Sequence, residues 1–486
     1  MYYAKYKKYK NKYCSLKGKI NNFNIDNYKR LANDVKKEIL PVFEYVKDIK
    51  YELTYMPNFK EFVTNLHLGQ RKLFLNELQF LTKYSNLFNE KSDESKSEYV
   101  IYAGAAPNNH IYFLYELFPN IKFIIVDPSP FNIFLKNPNI NHLNTKNSDV
   151  VYIRYGDKIQ SELLSNDSDF SKLNFYDPIK NEVVNYKENI PTNSNLGSFS
   201  YYDENSENII NFIKTSSYKI FIFQDIYTNE LSNLYRKIDN SRIYFFSDIR
   251  TKLDIYPTDL DILWNLSQQF NWTKILQPSA FMLKFRCPYF TDFKNKTEGD
   301  INDYINDHYD NSFNISKKFG IDFIKNYVNH KLLYFDGEYI LQPWAPVAST
   351  EIRLVNDNLD DYTYYDCFDA EKKFAYFNNI DRTFVRHFNN YVDKSIGFDY
   401  CNDCSLEALI WEDFLKKHPH PNDLFSEEDQ YDKSSLPVLA MVNKLSHVLG
   451  KGLKKKGHGY LFKEPTNEWY LDLKNKFCND VKGYSL

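Results

Sequence analysis

The apolar positions change period twice between residues 66 and 118. Leu66, Leu73, Leu75, Leu78, Phe80 and Leu81 recur near helical spacing after Gly69, inside a mostly helical pattern running from Asp26 to about Phe88. A polar run, NEKSDESKSE (89–98), closes it. YVIYAG (99–104) is then a short continuous apolar run of the kind a buried strand shows. AAPNN (105–109) reads as a turn, HIYFLYELF (110–118) as a helix, and PNIKFIIVDP (119–128) as a second strand ending on Asp127. Strand, tight turn, helix and strand with a terminal acid make a βαβ unit of the nucleotide-cofactor type.

Strand and helix patterns continue to alternate. YKIFIFQD (218–225), RIYFFSD (242–248) and the run 274–290 predict strands, with helices at about 229–237 and 260–270. Strand character resumes over 331–346 and 349–356, and helix patterns dominate from 357 onward, notably at 371–388 and 405–418. The expected fold is α/β: an open, mainly parallel, Rossmann-like sheet flanked by helices. Polar stretches at about 129–217 and 291–330 fit a compact core poorly and read as two insertions. The expected layout is a tail (1–25), a main domain (26–400) and a helical C-terminal extension (401–486).

Composition alters the weight of individual residues. Aromatics reach 17% and Gly is only 14 of 486, while Asn and Lys are abundant. Tyr, Phe, Asn, Lys and Ile have A/T-rich codons, so much of this bias reflects an A/T-rich genome. Clustered Gly and Ala therefore carry more information than usual, and any single aromatic carries less. A hydrophobic content of 43% is enough to build a core. No run approaches a membrane span, and the start lacks the apolar stretch of a secretory leader, so neither is expected. Six scattered Cys argue against a disulfide framework and for a reducing compartment. Cys401 and Cys404 form a lone CxxC, a weak metal signal.

Net charge is −3, without a global basic footprint. Locally, Lys5 to Lys19 holds seven Lys and no acid, interleaved with Tyr. Such a tail could hold single-stranded nucleic acid or simply be solvated, and KGLKKK (451–456) has the same two readings.

In open α/β sheets ligands bind at the carboxyl ends of the strands, where Asp127, Asp248 and Lys284 fall in this pattern. Gly104, Ala105 and Ala106 leave room for a ligand at the turn, and Asp127 can accept from a ribose diol. The turn reads either as an adenosine-cofactor site or as an ordinary tight connection. A diphosphate cofactor prefers GxGxxG, so a turn with one Gly favours S-adenosylmethionine over NAD.

Six blocks in order, GQRKLFLNELQFL (69–81), YAGAAPNNH (102–110), FFSDIRTK (245–252), FMLKFRCPYF (281–290), LQPWAPVASTEIRL (341–354) and AEKKFAYFNN (370–379), resemble the poxvirus-type cap-specific mRNA (nucleoside-2′-O-)-methyltransferase family, whose members double as poly(A) polymerase regulatory subunits. The blocks cover roughly residues 50–400. With the A/T-rich usage and added length, the chain resembles a giant-virus or other large DNA-virus relative. The resemblance implies S-adenosylmethionine as cofactor, capped mRNA as substrate, a viral poly(A) polymerase catalytic subunit as a partner, and a place in the host cytoplasm or virion.

It also implies site residues. The catalytic tetrad maps to Lys72, Asp248, Lys284 and Glu351. A ribose 2′-OH must lose its proton during attack on the methyl group, and Lys284 is expected as the base or the steering group, aligned by the other three. The cofactor set maps to Gln70, Leu73, Tyr102, Gly104, Ala106, Pro107, Asn108, His110, Asp127, Asp248 and Arg250, with Ile226 or Tyr227 against the adenine. The second Gly of the family's turn is Asn108 here, a residue that tolerates positive φ. An Arg expected after the acid is replaced by Ser129. For the cationic 7-methylguanine, Tyr289 is the expected stacking ring and Glu371 the carboxylate. The opposing ring maps to Ala348, leaving Trp344 or Tyr51 to compensate. An RNA-binding stimulatory subunit without catalysis is the rival reading.

Overall fold

The computed structural model describes residues 68–88, 97–129, 149–154, 174–185, 205–238, 242–250, 257–288, 331–345, 349–378, 402–419 and 437–451, with a few single positions between them. The core is a ten-stranded sheet, ordered β10-β11-β8-β7-β1-β2-β6-β3-β4-β5. Its strands are β1 (Glu98–Ala103), β2 (Ile121–Val126), β3 (Val150–Arg154), β4 (Asn174–Asp177), β5 (Glu182–Asn185), β6 (Ile220–Phe223), β7 (Arg242–Ser247), β8 (Ala280–Phe285), β10 (Glu338–Ile340) and β11 (Ile352–Asn356). The seven from β8 to β4 run parallel, while β5, β10 and β11 pair antiparallel at the edges. A separate hairpin-like pair joins β9 (Lys331–Phe335) to β12 (Tyr362–Asp366). This is the open, mainly parallel architecture expected of a Rossmann-like methyltransferase fold.

Helices cover both faces, and alternation within β7 shows how. Tyr244 and Phe246 meet Phe80 of α1 (Leu68–Tyr84), at ring distances of 5.8 and 4.9 Å. Phe245, pointing the other way, meets Tyr227, which leads into α4 (Asn229–Arg236) and packs on Trp272 of α5 (Asp259–Leu276). Period-two alternation in a strand buried on both sides requires this. α2 (Ile111–Leu117) stacks Phe113 on Phe74 of α1. α3 (Asn205–Thr215) lies on the α4 side, with Phe212 against Phe221.

The C-terminal helices form a further layer over α1. α7 (Asn402–Lys417) places Trp411 5.6 Å from Phe74, and α8 (Pro437–Lys451) packs on α7 and α1. A helix so enclosed is buried nearly all round, which is why Gln70, Arg71, Asn76 and Glu77 are as buried as Leu75 and Leu78.

Two readings change. Part of 129–217 is not an insertion: β3, β4, β5 and α3 extend the sheet and cover it. Their strands hold only four or five residues between polar stretches, too few to set a period. The strand character read over 331–346 divides at Gly337 into two strands, sending β9 to β12 and β10 to β11. A Cβ at Gly337 would lie 2.4 Å from the Val355 carbonyl oxygen. Elsewhere α5 runs to Leu276, past the expected 270; a Thr258/Asp261 capping box starts it and Gln277 ends it at φ 53°. Among the described residues no helix is long and apolar enough to cross a membrane.

Candidate active site

Strand register gathers the site. Val126, Ala103, Ser247 and Leu283 lie in one row across β2, β1, β7 and β8. Asp127, Gly104, Asp248 and Lys284 each come one residue later, at the carboxyl edge of the sheet. β11 runs antiparallel and sets Arg353 opposite Lys284. Glu351, two residues before Arg353, shares its side of the strand. The edge faces α1, whose second turn supplies Lys72.

The four expected catalytic residues meet. Lys72 Nζ donates to Glu351 Oε1 at 2.8 Å. Lys284 Nζ lies 3.2 Å from Asp248 Oδ1 and 3.2 Å from Glu351 Oε2. A fifth member joins them: Arg353 is 1% exposed and contacts Asp248 Oδ1 at 2.8 Å and Glu351 Oε1 at 3.4 Å. Sequence reasoning missed it, although its place two residues after Glu351 in a strand is the signal that would have found it. From the other face of the sheet, Gln269 of α5 donates to the Lys284 carbonyl at 3.0 Å.

Three cations thus share two carboxylates in a largely dehydrated cluster. Burial lowers the Lys72 pKa, with Arg353 and Lys284 adding to the effect and Glu351 and Asp248 opposing it. Burial works against the Glu351 carboxylate, but Lys284, Lys72 and Arg353 prevail and hold its carboxyl well below the usual range. Burial likewise opposes the Arg353 charge, and Asp248 and Glu351 outweigh it, raising its pKa.

Beside this cluster lies the turn after β1. Gly104 has φ 76°, and a Cβ there would sit 2.7 Å from the Ile249 nitrogen and 2.8 Å from the Asp248 carbonyl carbon. The turn thus presses on the backbone that carries Asp248. Gly104→Ala is expected to lower stability by about 1–3 kcal/mol, through both the strained φ and the clash, and to displace Asp248. Thermal unfolding checks the first effect, and a crystal structure of the variant checks the second.

Ala106 N–H donates to Asp127 Oδ2 at 3.1 Å, and Ser129 N–H donates to Oδ1 at 2.7 Å. Burial still raises the Asp127 pKa against these two bonds. Asn108 adopts φ 46°, so Asn does replace Gly in a left-handed position here. Gln70 Oε1 accepts from the Asn109 N–H at 3.2 Å, tying α1 to the turn, with half-buried Leu73 one helical turn on. Gly104, Ala106, Pro107, Asp127 and Asp248 are half-buried at this edge of the sheet, and Arg250 is exposed.

Three expected cofactor contacts point elsewhere. His110 is buried, its Nε2 2.7 Å from Glu77 Oε2 and its ring edge-on to Phe74, so its side chain serves the core behind the turn. Tyr102 is buried against Phe246, and burial, with the Glu77 carboxylate adding to it, holds its pKa far above the ordinary value. Tyr227 lies 4.9 Å from Trp272 inside the core, so of the pair Ile226/Tyr227 it is Ile226, 52% exposed, that presents an apolar surface after β6.

Glu371, on α6 (Cys367–Tyr376), is buried beside the end of β8 and accepts from the Cys287 N–H at 2.8 Å. Burial pushes its pKa up to about 8, partly offset by Arg286. Tyr289 and Tyr51 lie outside the described residues. Trp344 Nε1 donates to Glu407 Oε2 of α7 at 2.7 Å, and its ring centroid lies 5.8 Å from the Arg71 guanidinium.

Comparison with known proteins agrees with this geometry. Residues 38–173 match the family model described as "Poly A polymerase regulatory subunit". The chain is also similar to proteins named cap-specific mRNA (nucleoside-2′-O-)-methyltransferase from two strains of Myxoma virus, Lausanne and Uriarra. Each is 24% identical over 373 residues, covering 74% of this chain and 73% of the relative. The likeness read from the six sequence blocks is thereby borne out.

Proposed function

We propose, from this likeness to the viral cap-specific 2′-O-methyltransferases, that the protein methylates the ribose 2′-OH of the first transcribed nucleotide of 7-methylguanosine-capped mRNA. The observation that carries the reading is the shared register: the turn at Gly104 with Asp127 and the cluster at Asp248, Lys284 and Glu351 lie on one sheet edge.

The turn after β1 suits S-adenosylmethionine: it has a single Gly, whereas a diphosphate cofactor prefers GxGxxG. Gly104, Ala106 and Pro107 would line the cofactor, Asp127 would take the ribose diol, and Ile226 would cover the base. When bound, S-adenosylmethionine supplies an electrophilic methyl group and a neutral leaving thioether. The protein's part is to hold the attacking oxygen. Lys284 Nζ lies 3.2 Å from both Asp248 and Glu351; as a neutral amine it would take the 2′-OH proton, and as an ammonium it would fix the 2′-oxygen while that proton passes to solvent water. Lys72 and Arg353 fix Glu351 in turn. Alignment and exclusion of water supply most of the acceleration.

The test is methyl transfer to short RNAs that are uncapped, G-capped or 7-methyl-G-capped. Label only at the first 2′-OH of the last supports the reading; no label with RNA binding intact opposes it.

Glu371 would accept from the N1–H and amino groups of the cap base, for which it must be ionised. Glu371→Gln is expected to weaken a 7-methylguanosine cap analogue by about 10- to 100-fold, the worth of hydrogen bonds to a charged group. Because the carboxyl is protonated below about 8, the gap between wild type and variant should widen as pH rises through that value. Comparing the two proteins at each pH by fluorescence titration cancels the titration of the base itself.

The family-model match over residues 38–173 favours a second role, as a stimulatory subunit of a viral poly(A) polymerase. Tail lengthening by the catalytic subunit, measured with and without this protein, tests it. Lys284→Ala should leave that stimulation intact.

A further inference from the structure

Helix α1 carries Lys72, and what holds α1 in place lies far away in the chain. Arg71, the neighbour of Lys72, forms a two-pronged ion pair with Glu407 of α7, Nε to Oε2 at 2.9 Å and Nη2 to Oε1 at 2.5 Å. Arg71 Nη2 also reaches the Val442 carbonyl of α8 at 3.5 Å. Glu407 is fully buried and has a third partner, the Trp344 indole N–H at 2.7 Å. Trp344 adopts φ 64° in the segment that follows β10 and leads to Glu351, and its ring centroid is 5.8 Å from the Arg71 guanidinium.

One buried carboxylate on a C-terminal helix therefore grips both chain segments that meet in the Lys72–Glu351 pair. Residue 71 precedes Lys72, and residue 344 lies seven positions before Glu351. We infer that Glu407 is a positioning residue for methyl transfer: through Arg71 and Trp344 it sets the spacing of Lys72 and Glu351, making α7 and α8 working parts of the catalytic unit rather than an appended extension.

The physical case rests on directionality. A buried ion pair contributes little net stability over a well-packed apolar pair, so folding alone does not call for one here. A bidentate carboxylate–guanidinium pair does fix angle and distance, which apolar packing does not. The side chains of Lys72 and Glu351 are themselves largely buried, so a shift of α1 along or about its axis cannot be absorbed by water.

This inference rests on the methyltransferase reading, and its test keeps the two apart. Glu407→Gln leaves the Arg71 charge buried with a weakened partner and is expected to unfold at lower temperature. The double variant Arg71→Met/Glu407→Met removes both charges and should regain most of the unfolding temperature that Glu407→Gln loses, short of the wild type by the worth of the Trp344 N–H left unpaired. Its kcat should nevertheless stay down by at least about tenfold, with KM for capped RNA and cofactor affinity within about twofold, because misplacement of groups at the reacting centre costs rate rather than binding. Reductive methylation with isotope-labelled methyl groups gives a second readout: the Lys72 dimethylammonium resonance and its pH titration should differ between wild type and double variant. A double variant with wild-type kcat and an unmoved Lys72 titration overturns the inference. Wild type that transfers no methyl to any capped RNA sinks the methyltransferase premise instead, and the Lys72 titration still decides whether Glu407 positions it.

Discussion

Lys284→Ala should bind S-adenosylmethionine like the wild type and lose methyl transfer by at least about 10²-fold, the usual scale for removing a group that handles the reacting proton. Lys284 sits at the end of β8, anchored from behind by Gln269 and in front by two carboxylates at 3.2 Å. The residues expected to hold the cofactor, Gly104 to Pro107 and Asp127, follow β1 and β2, whereas Lys284 lies on β8, beyond β7, so cofactor affinity should survive. Removing Lys284 leaves Asp248 and Glu351 with Arg353 and Lys72, two carboxylates with two cations, so the cluster becomes charge-balanced and the fold should hold. The pH profile of kcat distinguishes the two ways Lys284 can work. A base must be neutral, giving a rate that rises with pH. A steering ammonium must be charged, giving a rate that falls once the lysine deprotonates. Lys284→Arg keeps the charge but changes the geometry, and should recover a fraction of activity only in the steering case. Activity of Lys284→Ala within about tenfold of wild type would remove Lys284 from the mechanism.

How much of this was readable beforehand depends on the length scale of each signal. β1, its turn and β2 were legible because two continuous apolar runs flank a small-residue cluster in a Gly-poor chain. The tetrad was legible through the residues flanking each member, and strand register then explains why four distant residues share one edge. Arg353 was available in the same block as Glu351 but needed the period-two rule to be applied. Ile226 and Tyr227 could not be separated, since adjacent loop residues have no period to tell the exposed one from the buried one. The contact of Arg71 with Glu407 spans 336 positions, and nothing local in either helix announces it. β3 to β5 were lost for the opposite reason, being too short between polar flanks to stand out.

Glu351→Gln should be the most damaging single change in the cluster. Glu351 answers three cations at once, Lys72 at 2.8 Å, Lys284 at 3.2 Å and Arg353 at 3.4 Å. A neutral amide leaves those three facing Asp248 alone. Breaking a buried pair by removing one partner costs about 3–5 kcal/mol, and partial exposure of Lys284 should place this site toward the lower figure. Unfolding temperature should therefore fall by several degrees. Methyl transfer should be lost as well, because Lys72 and Lys284 both repel in the absence of the group that spaced them. The pH dependence identifies the cause. The folded-state pKa of Glu351 lies well below its unfolded value, so its stabilisation is fully present above about pH 4.3 and is lost as pH falls from there toward the folded-state pKa. The unfolding temperatures of wild type and Glu351→Gln should therefore differ most near neutrality and converge in acid. A gap that stays constant from pH 7 to about pH 3 would mean that the carboxylate charge is not what Glu351 contributes. Lys72 provides an internal check. With Glu351 gone it loses the strongest of the charges that oppose its desolvation, so its pKa should fall further below the ordinary value.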